Sequence, residues 1–404
     1  MISDPPIAHS RHFETCCLPC RALVILFLAC AAFAQSHSGF PVDIVAGPAP
    51  QPFVADGRVR LVYELHLTNA APIPIEVVAL DVFGDQGAVP LASYRGEALG
   101  KALVPAENLL TSIEPVDRGD KRGQIGEGHG AVIFVDLTLD AGARAPMELH
   151  HRFTLDIRGN AALGRTIDGP VVAVLREPPL VLRSPLRGTA WIAFNAFGAY
   201  DHRRAIQPVD GRLQIAQRFA VDWMRLGADG RLFHGNPKSN DNYYGYGVEI
   251  VAVADARVSD LRDATPDNVG VTERSARVVS VDGAVGNYLT LDLGGGRFAV
   301  YAHLQPGSLK VKLGDHVKAG QVLARLGNSG NSDEPHLHFQ LTNANSPMGS
   351  EGIPYELEMF TQLGALGEQD AVLDKGESWR PEAGQKPVVH RGEFPSNGAI
   401  VSFQ

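Results

Sequence analysis

Gly327-Asn-Ser-Gly-Asn-Ser-Asp-Glu-Pro-His336-Leu-His338-Phe-Gln340 ends as a β-strand with two imidazoles on one face. Side chains two apart on a strand point the same way, so His336 and His338 share one surface while Leu337 and Phe339 face an apolar side. Two neutral imidazoles so placed can hold a metal ion. Alone, the pair fits a solvated polar face equally well, and the rest of the chain has to decide.

Upstream of this stretch the pattern stays β-rich. Val311 to Leu326 alternates around two glycine turns, Gly314-Asp315 and Gly320-Gln321. Leu289-Thr-Leu-Asp-Leu293 and Phe298-Ala-Val-Tyr-Ala-His303 predict a hairpin around Gly294-Gly-Gly296. Val248 to Val258 reads as strand, tight turn and strand. Before it lies a loop rich in Gly, Asn and Tyr, from Gly235 to Gly247. Gln214 to Trp223 is an extended run that places the Asp222 carboxylate on the face opposite Phe219.

A proline-rich passage from Pro178 to Pro185 marks a boundary. Between about 40 and 180 the period is two: the odd positions of Val59-Arg-Leu-Val-Tyr-Glu-Leu-His-Leu67 are apolar, and Ile133 to Leu139 and Phe153 to Arg158 alternate similarly. Short strands separated by Gly, Pro and Asp predict an antiparallel β-sandwich, and the whole chain reads as all-β. His66, His129, His150 and His151 fall on polar positions or loops and are expected at the surface. The expected organisation is an export segment over 1–34, a sandwich over 40–180, a second β domain over 186–345 and an extension over 346–404. That extension shows no sustained period.

The chain has 404 residues, of which 45% are hydrophobic and 20% charged, enough for more than one packed core. Its formal charge is −9. Asp4, Glu14, Arg11 and Arg21 cancel within the first 34 residues, so a processed chain keeps that acidity and nucleic acid is an unsuitable partner. Arg21, the apolar run Ala22–Ala34 and the small-residue pattern Ala32-Phe33-Ala34 read as an export signal, placing the protein in the periplasm or outside the cell. The run falls short of the roughly 20 residues needed to span a bilayer. All 4 cysteines (Cys16, Cys17, Cys20 and Cys30) precede the expected cleavage point. Any metal held by the processed chain then relies on nitrogen and oxygen ligands.

Over residues 210–345 these pieces resemble the core of the lysostaphin-type zinc endopeptidases, which cut peptide bonds of bacterial peptidoglycan. The matching elements are Asp222, Val251-Ala-Val-Ala-Asp-Ala-Arg-Val258, Tyr301-Ala-His303-Leu, Gly314-Asp-His-Val-Lys-Ala-Gly-Gln-Val-Leu323, Gly327-Asn-Ser-Gly330 and Pro335-His-Leu-His-Phe339. The resemblance implies zinc held by Asp222 and His338, with His303 and His336 flanking the water that attacks a peptide carbonyl. Zinc with an open position acidifies water and polarises a carbonyl, while imidazoles move protons and stabilise the oxyanion. How the last two tasks divide between His303 and His336 is open at this stage.

One position departs from the pattern. Where the family places a third histidine ligand, four residues before the aspartate, this chain has Arg218, which cannot ligate zinc. Gln217 offers an amide oxygen, a weak ligand, and His202 and His234 are further candidates from flanking loops. Zinc is expected to bind weakly or not at all if only Asp222 and His338 serve. The alternative reading is therefore a non-catalytic protein of the same fold that binds cell wall or regulates an envelope hydrolase. A carrier-domain reading of the Gly314 hairpin fails for want of a lysine at a tight turn. Peptidoglycan peptides are the expected substrate, and the sandwich is expected either to cover the groove or to dock on an envelope partner.

Overall fold

The computed structural model describes residues 40–404 apart from 86, 107–122, 158–164, 200, 270–280, 368–371 and 374. The expected export segment, with all four cysteines, lies outside the described residues. The chain is all-β. Its N-terminal strands are β1 (Val42–Ala46), β2 (Phe53–Ala55), β3 (Arg58–Asn69), β4 (Ile75–Gly84) and β5 (Ala92–Arg95). A short helix α1 (Gly96–Ala102) leads to β6 (Leu103–Pro105), β7 (Gln124–Ile125), β8 (Gly130–Leu139), β9 (Glu148–Ile157), β10 (Arg165–Asp168) and β11 (Val172–Ala173). One sheet runs β1-β3-β8-β6 with β2 on β3, and the other runs β10-β9-β4-β5 with β7 and β11 at its margins.

These two sheets share one core. Leu61, Tyr63, Leu65 and Leu67 of β3 and Ile133 and Val135 of β8 pack with Leu80 and Val82 of β4 and Phe153 and Leu155 of β9. The alternate residues of β3 and β8 are buried as well. Val62 is 4% exposed and Glu64 0%, Val62 joining the large core of the C-terminal half while Val132 and Phe134 pack with Ile206 and Ile215. Period two thus conceals a sheet that is covered on both faces, one by its partner sheet and the other by the second half of the chain.

His151 departs from the surface expectation: it is 2% exposed in β9. Its Nδ1 donates to Pro170 O at 2.6 Å, which leaves Nε2 to accept from the Tyr63 hydroxyl at 2.6 Å. A position read as polar is buried because β9 is overlaid by the segment around Pro170, which the alternation cannot show. Burial pushes the His151 pKa down to about 4. The unfolded chain therefore takes up a proton below pH about 6.5 that the folded chain refuses until about 4, so stability is lost as pH falls through that window. Denaturant unfolding at pH 7.5 and at pH 5 is expected to show His151→Gln losing about 2 kcal/mol less than the parent between the two.

The C-terminal half is built on β12 (Leu180–Leu182), β13 (Gly188–Phe194), a helical turn α2 (Asp201–Arg204), the hairpin β14 (Gln207–Val209) and β15 (Arg212–Gln214), and β16 (Val221–Arg225). There follow β17 (Glu249–Val251), β18 (Ala256–Arg262), β19 (Tyr288–Asp292), β20 (Phe298–Ala302), β21 (His316–Val317), β22 (Val322–Arg325) and β23 (Leu337–Thr342). The chain ends with β24 (Tyr355–Leu357), β25 (Phe360–Ala365), β26 (Val388–His390) and β27 (Ala399–Phe403). Ten of these form one sheet in the order β21-β18-β19-β20-β23-β16-β13-β27-β25-β26. The C-terminal segment, without period in the sequence, supplies three of its strands, and β24 pairs parallel with β12. Those strands are short, and the β25–β27 register shifts between Gln362 and Gly364, which breaks the repeat a reader would look for. Trp223, Leu337, Phe339 and Tyr301 fill the core beneath the middle strands, each fully buried aromatic worth about 1.5–3 kcal/mol of apolar transfer.

Candidate active site

Three neighbouring strands of the large sheet, β16, β23 and β20, carry the site. Asp222 and His338 are cross-strand partners, with Val221 opposite Phe339 and Trp223 opposite Leu337 on the alternate, core-facing positions. On its other side His338 pairs with Ala302, so His303 leaves the end of β20 directly beside it. His336 lies just before β23. All four expected residues are buried: Asp222 is 5% exposed, His303 6%, His336 7% and His338 2%.

The contacts bring them to one centre. His338 Nδ1 lies 2.8 Å and His336 Nε2 3.5 Å from Asp222 Oδ1. The His303 and His336 rings are 4.7 Å apart, and the His303 and His338 rings 5.7 Å. His303 occupies the left-handed backbone region at φ 61°, uncommon for a residue with a Cβ. Its Nδ1 donates to Ser329 O at 2.8 Å. His336 Nδ1 donates likewise to Glu334 O at 2.8 Å. Both imidazoles are thus pinned through Nδ1, which directs Nε2 to the site.

The remaining member is His202, on α2, whose Nε2 stands 3.2 Å from Asp222 Oδ2 with a side chain 12% exposed. Its ring meets that of His338 edge-on at 4.8 Å. His202, Asp222 and His338 each offer one ligand atom, and these atoms lie within 4.8 Å of one another. Gln217, the first candidate for the missing ligand, is half-buried in the turn before β16, where its carbonyl accepts from Ala220 N at 2.9 Å. Arg218 faces away into an ion cluster with Glu64 and Glu351. His234 stacks edge-on against Tyr244 at 5.4 Å instead.

Gln340 and Asn195 carried no role in the sequence, yet both orient the centre. Gln340 Nε2 donates to Pro347 O at 2.7 Å, which turns Oε1 toward His338 Nε2 at 2.8 Å. His338 therefore holds its proton on Nε2, and its Nδ1 lone pair faces the Asp222 carboxylate. Two acceptors at 2.8 Å call for a cation between or beside them. Burial lowers the His338 pKa, and Asp222 opposes that shift. Asn195 Nδ2 donates to Asp222 Oδ2 at 2.9 Å, fixing the carboxylate. Burial opposes the charge on Asp222, but His202 and His336 outweigh it and hold the carboxyl well below its usual range. Burial likewise opposes protonation of His202, and Asp222 raises it.

A nitrogen, oxygen, nitrogen set suits zinc. Bonds of about 2.0–2.1 Å in a tetrahedron require ligand atoms about 3.3 Å apart; His202 Nε2 lies 3.2 Å from Asp222 Oδ2 and His338 Nδ1 2.8 Å from Oδ1, and the whole set lies within 4.8 Å, so the side chains must adjust slightly to meet one ion. A second polar group on two of the three residues, Gln340 on His338 and Asn195 on Asp222, is the arrangement that orients metal ligands.

Residues 241–350 match the model of Peptidase family M23. The glycyl-glycine endopeptidase ALE-1 of Staphylococcus capitis is 51% identical over 45 residues, 11% of this chain and 12% of that protein. The chain thus spans about an eighth of the length of that curated relative. Among solved structures, the catalytic domain of lysostaphin from Staphylococcus simulans is 20% identical and aligns over 41% of this chain and 86% of its own, with a TM-score of 0.22. A peptidase M23 structure from Pseudomonas aeruginosa is 15% identical and aligns over 68% of this chain and 91% of its own, with a TM-score of 0.25. The segment matched by the family model contains His303, His336 and His338, while Asp222 and His202 lie upstream of it. Over residues 241–350, this chain carries a Peptidase family M23 domain.

Proposed function

We propose that the protein is an exported zinc-dependent endopeptidase that cleaves peptide bonds of peptidoglycan, with His202, Asp222 and His338 as the metal-holding residues in place of the expected set with Gln217. The observation that carries this reading is the buried group of three donor atoms within 4.8 Å, in which Gln340 Oε1 meets His338 Nε2 and so turns Nδ1 to the Asp222 carboxylate. Zinc bound there supplies a Lewis acid that polarises the scissile carbonyl and acidifies the attacking water. His303 is held neutral by burial and by the neighbouring His336 and His338, so its Nε2 accepts the proton of the water and returns it to the leaving amine as the C–N bond breaks. Burial opposes a charge on His336, and the bare Asp222 carboxylate overcomes it in the metal-free chain, raising the pKa to about 8. With a proton on Nε2, His336 would donate to the oxygen that gains charge in the tetrahedral intermediate.

Elemental analysis and zinc competition on the full chain test the assignment. About one zinc per chain is expected for the parent and for Gln217→Ala. His202→Ala and His338→Ala are each expected to weaken zinc by more than the roughly 10–100-fold typical of an outer-shell change. A Gln217→Ala chain that loses zinc would overturn this ligand set in favour of one with Gln217, and a parent that holds no stoichiometric zinc would favour the non-catalytic binder.

A further inference from the structure

We infer that the N-terminal sandwich is a working part of the metal centre, with Arg203 as the positioning residue that holds His202 in reach of Asp222 and His338. The inference rests on reading His202 as a ligand. Helix α2 is only four residues long, too short to be stable by its own hydrogen bonds, so something outside it must fix the His202 side chain.

That support comes from the outer face of the sandwich. Arg203 is 8% exposed; its Nη2 donates to Val135 O at 2.6 Å and its Nη1 to Asp136 Oδ2 at 3.2 Å, both on β8. The guanidinium lies 5.8 Å from the Phe134 ring centre and that of Arg204 5.7 Å from it. Arg204 also donates to Lys101 O, at the end of α1. Just beyond, Ile206 and Ile215 are buried against Val132 and Phe134. Every anchor of the His202 turn named here is a sandwich residue or packs on one.

Asp222 is tied to the same face. Four residues ahead of it, Arg218 reaches Glu64 of β3, and Glu64 is the cross-strand partner of Phe134. Asp222 and His338 are themselves held within the large sheet and its loops, by Asn195, by each other and by Gln340, so among the described residues His202 is the proposed ligand that rests directly on the sandwich. The His202 segment is therefore set by how the C-terminal half seats on β8, and the turn before β16 is clamped to β3 through Arg218.

Zinc competition titrations and the Co(II) absorption spectrum, both on the full chain, test this. Arg203→Ala is expected to raise the zinc Kd by roughly 10–100-fold, the range for loss of an outer-shell partner, and to shift the Co(II) bands toward those of His202→Ala. Arg203→Lys, which keeps the charge but not the two-armed contact, should fall between. Asp136→Ala removes the acceptor while leaving residues 201–206 intact, and it decides the matter if Arg203→Ala does not fold. Arg95→Ala, which breaks only the exposed sandwich pair with Asp81, should bind zinc as the parent does. If His202→Ala weakens zinc while Arg203→Ala and Asp136→Ala bind like the parent, the positioning role is overturned and the ligand assignment stands. If His202→Ala itself binds zinc like the parent, the ligand reading fails first and this inference with it.

Discussion

His303→Ala is expected to lower kcat for peptidoglycan cleavage by about 10²–10⁴-fold, the usual contribution of a positioned general base, while zinc content stays at one per chain. The separation follows from geometry. His303 contacts the ring of His336 at 4.7 Å but is not among the three residues that converge as ligands. Its loss removes the proton acceptor and leaves the donor set whole. A second effect has to be separated from this one, because His303 sits at φ 61°, and alanine in that region is strained by about 1 kcal/mol or more. Asparagine tolerates left-handed backbone better. His303→Asn is therefore expected to match His303→Ala in lost turnover but to lie closer to the parent in a urea melt. Release of new amino groups from purified peptidoglycan reads the first quantity. If His303→Asn retains parental turnover, the residue is structural and the proton acceptor lies elsewhere.

How far the site could be read beforehand depends on what each residue leans on. Asp222, His303, His336 and His338 were legible because strand alternation and local motif define their faces, and their neighbours on β16, β20 and β23 are themselves periodic. His202 was named only as one of two loop candidates. Nothing local marks it, since its turn is held by Arg203 and Arg204 against β8 and α1. Gln340 stood in the quoted stretch without a role because its orientation is set by Pro347 O, a contact made by a loop folding back. The outer face of β3 misled for the same reason. Arg60, Val62, Glu64 and His66 have the spacing of a solvated face, and only the seating of the C-terminal half buries Glu64 completely.

That seating gives the largest expected effect on stability, through Arg218. Its Nε lies 3.0 and 3.1 Å from the two oxygens of Glu64, its Nη2 2.8 Å from Glu64 Oε2 and 2.7 Å from Glu351 Oε2, and its Nη1 2.9 Å from Gly352 O. The Arg218 side chain is 4% exposed and that of Glu64 0%. Arg218→Ala leaves the Glu64 carboxylate buried with no counter-charge, and breaking a buried pair from one side costs about 3–5 kcal/mol. Lysine keeps a charge but cannot reproduce the planar fork across two carboxylates, so Arg218→Lys should lose less than Arg218→Ala and more than nothing. The double variant Glu64→Leu with Arg218→Met removes the two buried charges at the junction of β3 with the turn before β16 and leaves Glu351, whose side chain is 17% exposed, within reach of water. It is expected to recover most of the Arg218→Ala loss, because well-packed apolar groups of similar size often match a buried ion pair. Urea unfolding of these variants at pH 7.5, with the singles Glu64→Leu and Arg218→Met added, supplies the cycle. If Arg218→Ala unfolds within about 1 kcal/mol of the parent, the value of an exposed pair, the cluster is not clamping the two halves together. A double variant that stays as unstable as Arg218→Ala would instead show that the cluster's worth lies in its hydrogen-bond geometry rather than in the charge it neutralises.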